Sequence, residues 1–225
     1  MCIFFLHVPK TAGQSFRKAA IDYFGIEKSL LLYGEDSSTT TLSVNQIFYK
    51  DRKSSFIEKI SAISELIEQE NITFFSSHAS AILLPSFQSE QSAIFMREPL
   101  ERIISHYNYA IKKGHTVESI EDFIENPIYQ NLYSKILRDI PIESIKFIGL
   151  TEKYEESLNL FNFTFNTKLK VYHVNKLWFF SKKLSPRKLS KELEERIREV
   201  NQKDFILYQK AKEIYSERIH ILEVS

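Results

Sequence analysis

The sequence predicts one α/β domain of P-loop type over residues 1–225, with a mainly parallel central sheet flanked by helices. Two observations predict it. Short apolar runs of strand type alternate with stretches of helical periodicity, the pattern of βα units. The first such run also breaks into a loop suited to holding an anion at a helix N-terminus. The strand-type runs are Cys2–His7, Ile72–Ser76, Ser92–Met96, Ile145–Ile148 and Lys168–His173. Between them, Phe56, Ile57, Ile60, Ile63 and Ile67 fit one helical face. So do Leu100, Ile103, Ile104, Tyr107 and Ile111, and later Leu189, Leu193, Ile197 and Val200. Parallel sheets bind ligands at the carboxyl ends of their strands. Those ends carry Pro9-Lys10, Ser77-His78, Arg97 and Gly149, which together form the expected site. Five glycines and six prolines leave little room for long linkers. The one loop-like stretch is Gly34–Ser55, read as a solvated loop or, alternatively, a flap over an acceptor. No internal repeat or second domain is visible.

Composition removes several function classes. A net charge of +1 gives no whole-molecule attraction to nucleic acid or to a membrane surface, so anion recognition must be local. Cys2 is the one cysteine, which excludes an internal disulfide. No run approaches the roughly 18 apolar residues that span a bilayer. The first residues lack a basic stretch and run directly into the anion-loop pattern, so they do not read as a signal peptide. A cytoplasmic location is the default expectation.

The first motif runs from Ile3 to Phe16. An apolar strand stops at Pro9, and Lys10, Thr11, Ala12, Gly13, Gln14 and Ser15 lead into a helical pattern. Backbone amides at such a junction bind phosphate, Lys10 adds a point charge, and Ser15 and Thr11 add hydroxyls. The bland alternative is a plain strand-to-helix turn with an exposed lysine. A kinase or GTPase loop has glycine, four residues, glycine, then lysine and a hydroxyl residue. Here the lysine follows proline directly and the glycine comes after it. Nucleoside triphosphate enzymes also hold magnesium with an acid at a nearby strand end. The corresponding positions here are Ser77-His78 and Arg97, so the expectation is direct phosphate binding without a metal.

The second motif is Met96 to Tyr107. Arg97 closes a strand, and Glu98-Pro99 starts a helix, proline being suited to its first turn. Ser105 follows eight residues after Arg97, about two helical turns on. An arginine fork and a serine so placed grip one phosphate from two sides. The alternative is an arginine paired on the surface with Glu98 or Glu101. Arg102 reads as part of the helix's polar face or a structural ion pair, and His106 and Tyr107 as packing residues.

At these residues the chain resembles the sulfotransferases that use 3′-phosphoadenosine 5′-phosphosulfate (PAPS), most nearly the carbohydrate type, heparan sulfate 2-O- and 6-O-like, and bacterial relatives. The resemblance rests on His7 to Ser15 and Arg97 to Tyr107. Weaker likenesses are Ile148 to Leu158 and a closing helix from Asn201 to Tyr215 with Asp204 and Leu207-Tyr208. It implies that Lys10 contacts the oxygen bridging phosphate and sulfate. Pro9 to Ser15, through the amides from Thr11 onward and the hydroxyls of Thr11 and Ser15, would hold the 5′-phosphosulfate. Arg97 and Ser105 would hold the 3′-phosphate. Ala12 and Gln14 stand where many relatives have glycine and a hydroxyl residue, and Glu98 where aspartate is commoner. In relatives a segment before the last helices closes on the nucleotide, and Asn175-Lys176 looks like its start. The basic run Lys176, Lys182, Lys183, Arg187, Lys188 and Lys191, interleaved with Trp178, Phe179 and Phe180, would be that lid or a track for an anionic glycan. The bland reading is solvated charge. Single-stranded nucleic acid is disfavoured by the near-zero net charge.

Sulfuryl transfer also needs a base for the acceptor hydroxyl, usually histidine near neutral pH. Of six histidines, His78 ends a strand where the donor should lie, and in related carbohydrate enzymes a histidine in a similar place is the base. His173 is the reserve candidate, and Glu35 or Asp36 a carboxylate alternative. His7 reads as a structural hydrogen-bonder. The expected activity is therefore transfer of a sulfuryl group from PAPS to a hydroxyl of a saccharide acceptor. The alternatives are a P-loop nucleotide or sugar kinase, and a catalytically silent nucleotide-binding module.

Overall fold

The computed structural model describes residues 1–78, 91–114, 119–138, 140–174 and 189–224. Five strands, β1 (Ile3–Leu6), β2 (Ser29–Leu32), β3 (Phe74–Ser77), β4 (Ser92–Met96) and β5 (Phe147–Leu150), form one sheet in the order β2-β3-β1-β4-β5. Every pairing is parallel, with Phe5 opposite both Ser76 and Ala93. Strand residues are buried throughout, as expected for a sheet covered on both faces. The helices are α1 (Gly13–Phe24), α2 (Leu42–Asn45), α3 (Phe56–Gln69), α4 (Pro99–Lys112), α5 (Ile120–Glu125), α6 (Leu132–Leu137), α7 (Tyr154–Phe165), α8 (Lys191–Val200) and α9 (Gln202–Val224).

Alternation along the strands sorts the core aromatics. Phe5 meets Phe16 of α1 at 4.5 Å between ring centroids, and Phe16 meets Phe161 of α7 at 4.8 Å. Phe95 and Phe147 continue the same layer at 5.4 Å. Phe4, the next residue, points to the opposite face with Phe75 at 5.3 Å. These rings fix α1 and α7 on one face of the sheet, and α1 begins at the carboxyl edge where the loop lies. A second apolar cluster, Leu100, Ile103, Ile104, Phe123, Ile124 and Ile197, joins α4, α5 and α8.

Several expectations need correction. The strand expected at Lys168–His173 is not one; the fifth strand is β2. Of the former run only Leu169 is buried, and its backbone pairs with the Asn162 side chain, Leu169 N donating to Oδ1 at 2.8 Å and Nδ2 donating to Leu169 O at 3.0 Å. One side-chain amide thus replaces a neighbouring strand. The strand β2 is four residues with no β-branched side chain, so it carries a weak signal. Its outer edge is closed by Thr40 and Thr41: Leu31 N donates to Thr41 Oγ1, Thr41 N to Leu31 O and Tyr33 N to Thr40 Oγ1, each at 3.0 Å. The stretch Gly34–Ser55 is accordingly not a solvated loop. It holds α2, a π-helical turn at Gln46–Lys50 and the fully buried Val44. On α3, Ile57 faces water at 79% exposure, and the packed residues are Ile60, Ile63, Leu66 and Ile67.

Gly149, expected at the ligand edge, lies inside β5 beneath aromatic rings. A Cβ there would come within 2.6 Å of Phe95 and 2.9 Å of Phe147. Its role is packing. Gly149→Ala is expected to cost about 1–3 kcal/mol by overpacking. For a chain of this length that lowers the melting midpoint by roughly 2–4 °C per kcal/mol. Differential scanning calorimetry checks it, and an unchanged midpoint would show that the rings move aside freely.

Candidate active site

The loop after β1 gets its shape from two residues in the left-handed region, Lys10 at φ 73° and Ala12 at φ 62°. A backbone that alternates in this way turns successive amides inward as an anion-binding concavity. The Ala12 conformation is one that glycine adopts without strain and an alanine adopts rarely. Thr11 is fully buried and its hydroxyl donates to Val8 O at 2.9 Å, so it braces the loop from within. The expectation of a Thr11 side-chain contact to the ligand therefore does not hold; its amide is what it has to offer. The Ser15 amide donates to Ala12 O at 2.9 Å and is likewise engaged. The Ser15 hydroxyl accepts from Val174 N at 3.0 Å and keeps its own proton for donation. Pro9 is half-buried and Gln14 exposed. The first turn of α1 holds no acidic residue, leaving its positive end unopposed.

Beneath the loop lies His7, buried, with Nδ1 2.7 Å from Tyr33 Oη. Tyr33 Oη also bonds Ser76 Oγ. The other side of the His7 ring lies against Gly13, where a Cβ would fall 1.9 Å from Nε2. Burial pushes the His7 pKa well down, helped by His78, Arg17 and Lys10. His7 is thus a neutral structural hydrogen-bonder.

His78 follows β3. Its Nδ1 lies 2.6 Å from the His7 carbonyl, which only accepts, so Nδ1 carries the proton and Nε2 keeps its lone pair. The residue is exposed overall, and its ring packs against those of His7 at 4.4 Å and Tyr33 at 4.6 Å. Desolvation of the ring lowers the His78 pKa, and the Arg17 charge adds to it, against the opposing effect of the His7 carbonyl. Arg17 sits over the Tyr33 ring at 4.7 Å.

Arg97 ends β4. Glu98 caps the following helix, its carboxylate accepting from Glu101 N at 2.8 Å, and Pro99 occupies the first turn. The Arg97 guanidinium meets Glu101 at 3.1 Å. Glu101, Ser105 and Tyr109 are spaced by four and form one stripe along α4. At the far end of the stripe the Lys10 ammonium lies 4.3 Å over the Tyr109 ring. One helix face therefore runs from Arg97, past the half-buried Ser105, to Lys10, over about 12 Å at 1.5 Å per residue.

Other residues fall elsewhere. Arg102 is not on a polar face: it is fully buried, with Nη2 3.5 Å from Tyr129 O and the guanidinium 5.5 Å from the Tyr133 ring centroid. His106 packs edge-on against Phe123 and Tyr129. His173 bonds Glu155 at 3.0 Å, and Glu35 pairs with Lys50 and Arg52. Lys176 and the basic run through Lys188 lie outside the described residues, as does His115. Sequence reasoning missed Tyr33, which follows an unrecognised strand, and Tyr133, whose tie to Arg97 spans 36 positions.

Across the sheet, His78, Lys10 and Arg97 follow β3, β1 and β4, three adjacent parallel strands. Residues 2–141 match the model of the sulfotransferase family, Sulfotransfer_2, and the chain belongs to that family. The activity this membership defines is sulfuryl transfer to a hydroxyl-bearing acceptor. No curated protein matches the chain.

Gly13→Ala is expected to drive the His7 ring from its seat and cost at least about 2 kcal/mol, since that ring is buried and bonded to Tyr33. Thermal unfolding measures it. A stability equal to wild type would show that the His7–Gly13 contact is not a constraint.

Proposed function

We propose that this sulfotransferase moves the sulfuryl group of PAPS to a hydroxyl of a saccharide, working as one catalytic domain in the cytoplasm. The observation that carries the reading is the delivery of His78, Lys10 and Arg97 to one sheet edge by three neighbouring strands. The amides of the left-handed loop and the Ser15 hydroxyl suit the 5′-phosphosulfate, and Arg97 with Ser105 suits the 3′-phosphate. Lys176, which lies outside the described residues, is assigned to nucleotide binding by resemblance to relatives alone. The saccharide acceptor likewise rests on that resemblance.

Chemically, the acceptor oxygen approaches sulfur in line as its proton passes to His78 Nε2. The new S–O bond forms while the bond from sulfur to the bridging oxygen breaks. The electron pair stays on the departing phosphate, and the Lys10 ammonium neutralises the developing charge. A lowered pKa suits His78 to the base role, because it is neutral at pH 7 with Nε2 unprotonated.

His78→Ala is expected to retain adenosine 3′,5′-bisphosphate binding and lose about 10²–10⁴-fold in turnover. In the wild type the acid limb of kcat/KM should have its midpoint below 6.5, the ordinary histidine value. Activity falls with acid because protonation removes the base. A full rate in His78→Ala, or a midpoint above 6.5, would place the base elsewhere.

A further inference from the structure

We propose that Tyr133 is a positioning residue that holds Arg97 in place for the 3′-phosphate and so sets selectivity for 3′-phosphorylated nucleotides. The proposal rests on the reading of Arg97 as the 3′-phosphate ligand. Arg97 stands where β4 has ended and α4 has not begun, so neither element supplies partners for its backbone. Both groups are instead met by one phenol. Tyr133 Oη accepts from Arg97 N at 2.9 Å and donates to Arg97 O at 2.7 Å. Tyr133 is fully buried, and burial pushes its pKa far up, which keeps the donating proton on the oxygen.

The phenol is in turn fixed from the end of the chain. The fully buried Asp204 of α9 accepts from Tyr133 N at 3.1 Å and Ser134 N at 3.0 Å, capping the first turn of α6. Asn201 Oδ1 accepts from Asn131 N at 2.9 Å, and Asn131 answers with bonds to Val200 O and from Lys203 N. Burial pushes the Asp204 pKa up, and the Arg102 guanidinium, which lies beside the Tyr133 ring, partly opposes it. Asp204 and Asn201 lie beyond the residues matched to the family. The closing helix thus braces, through Tyr133, an arginine some 100 positions earlier.

The test compares adenosine 3′,5′-bisphosphate with adenosine 5′-phosphate by calorimetry on the full chain. Wild type should prefer the bisphosphate. In Tyr133→Phe that preference should shrink about tenfold, with affinity for the 5′-phosphate unchanged. A purely structural role would weaken both nucleotides together or neither, and either result would overturn the proposal. If Tyr133→Phe does not fold, Asp204→Asn takes its place with the same expected loss of preference, and an undiminished preference there overturns the proposal. A wild type with no preference for the bisphosphate would instead defeat the reading of Arg97 itself.

Discussion

The constraint on which the site depends is the contact between the His7 ring and the α-carbon of Gly13. A buried imidazole occupies the volume a side chain at position 13 would need. That contact sets how closely α1 follows β1, and with it the curl of the loop between them. The same histidine reaches two other elements. Its ring bonds Tyr33 after β2, and its carbonyl orients His78 after β3. Three strand ends are therefore registered by one residue. Neutrality of His7 is part of the arrangement, since a third cation beside Lys10 and Arg17 would have no carboxylate partner among the described ion pairs.

The strand end at Arg97 is built differently. The Arg97 guanidinium pairs locally with Glu101, but its backbone depends on distant chain: Tyr133 and the Asp204 cap behind it. The Arg97–Glu101 pair is a half-exposed i,i+4 contact that costs little to break. The stripe Glu101–Ser105–Tyr109 then runs from Arg97 to Lys10, so α4 is the physical link between the two side chains.

Much of this was legible because it is local. The strand, proline, lysine and glycine of the first motif sit within a dozen residues, and four of the five strands announce themselves as apolar runs. The placement of Arg97 after a strand and of Ser105 on the helix that follows is legible from local pattern alone. What was not legible depends on tertiary partners. The strand β2 is short and leucine-rich, and it is a strand because β3 and the threonines at 40 and 41 pair with it. The run at 168–173 has strand-like residues, but a side-chain amide claims its backbone first. Thr11 looked like a ligand hydroxyl because its sequence position is right; its rotamer turns the hydroxyl inward to Val8. Arg102 reads in sequence as a polar-face or ion-pairing arginine; it is buried between Tyr129 O and the Tyr133 ring, near the Asp204 charge, partners that only tertiary structure supplies.

The most direct test of the central claim is calorimetric titration with adenosine 3′,5′-bisphosphate, set beside ATP with Mg²⁺. The account predicts tight, metal-independent binding of the bisphosphate that is weakened by a few kcal/mol, about 2–3, in Arg97→Ala, as for loss of a charged phosphate contact. Preference for ATP with metal, or a bisphosphate affinity indifferent to Arg97, would contradict it.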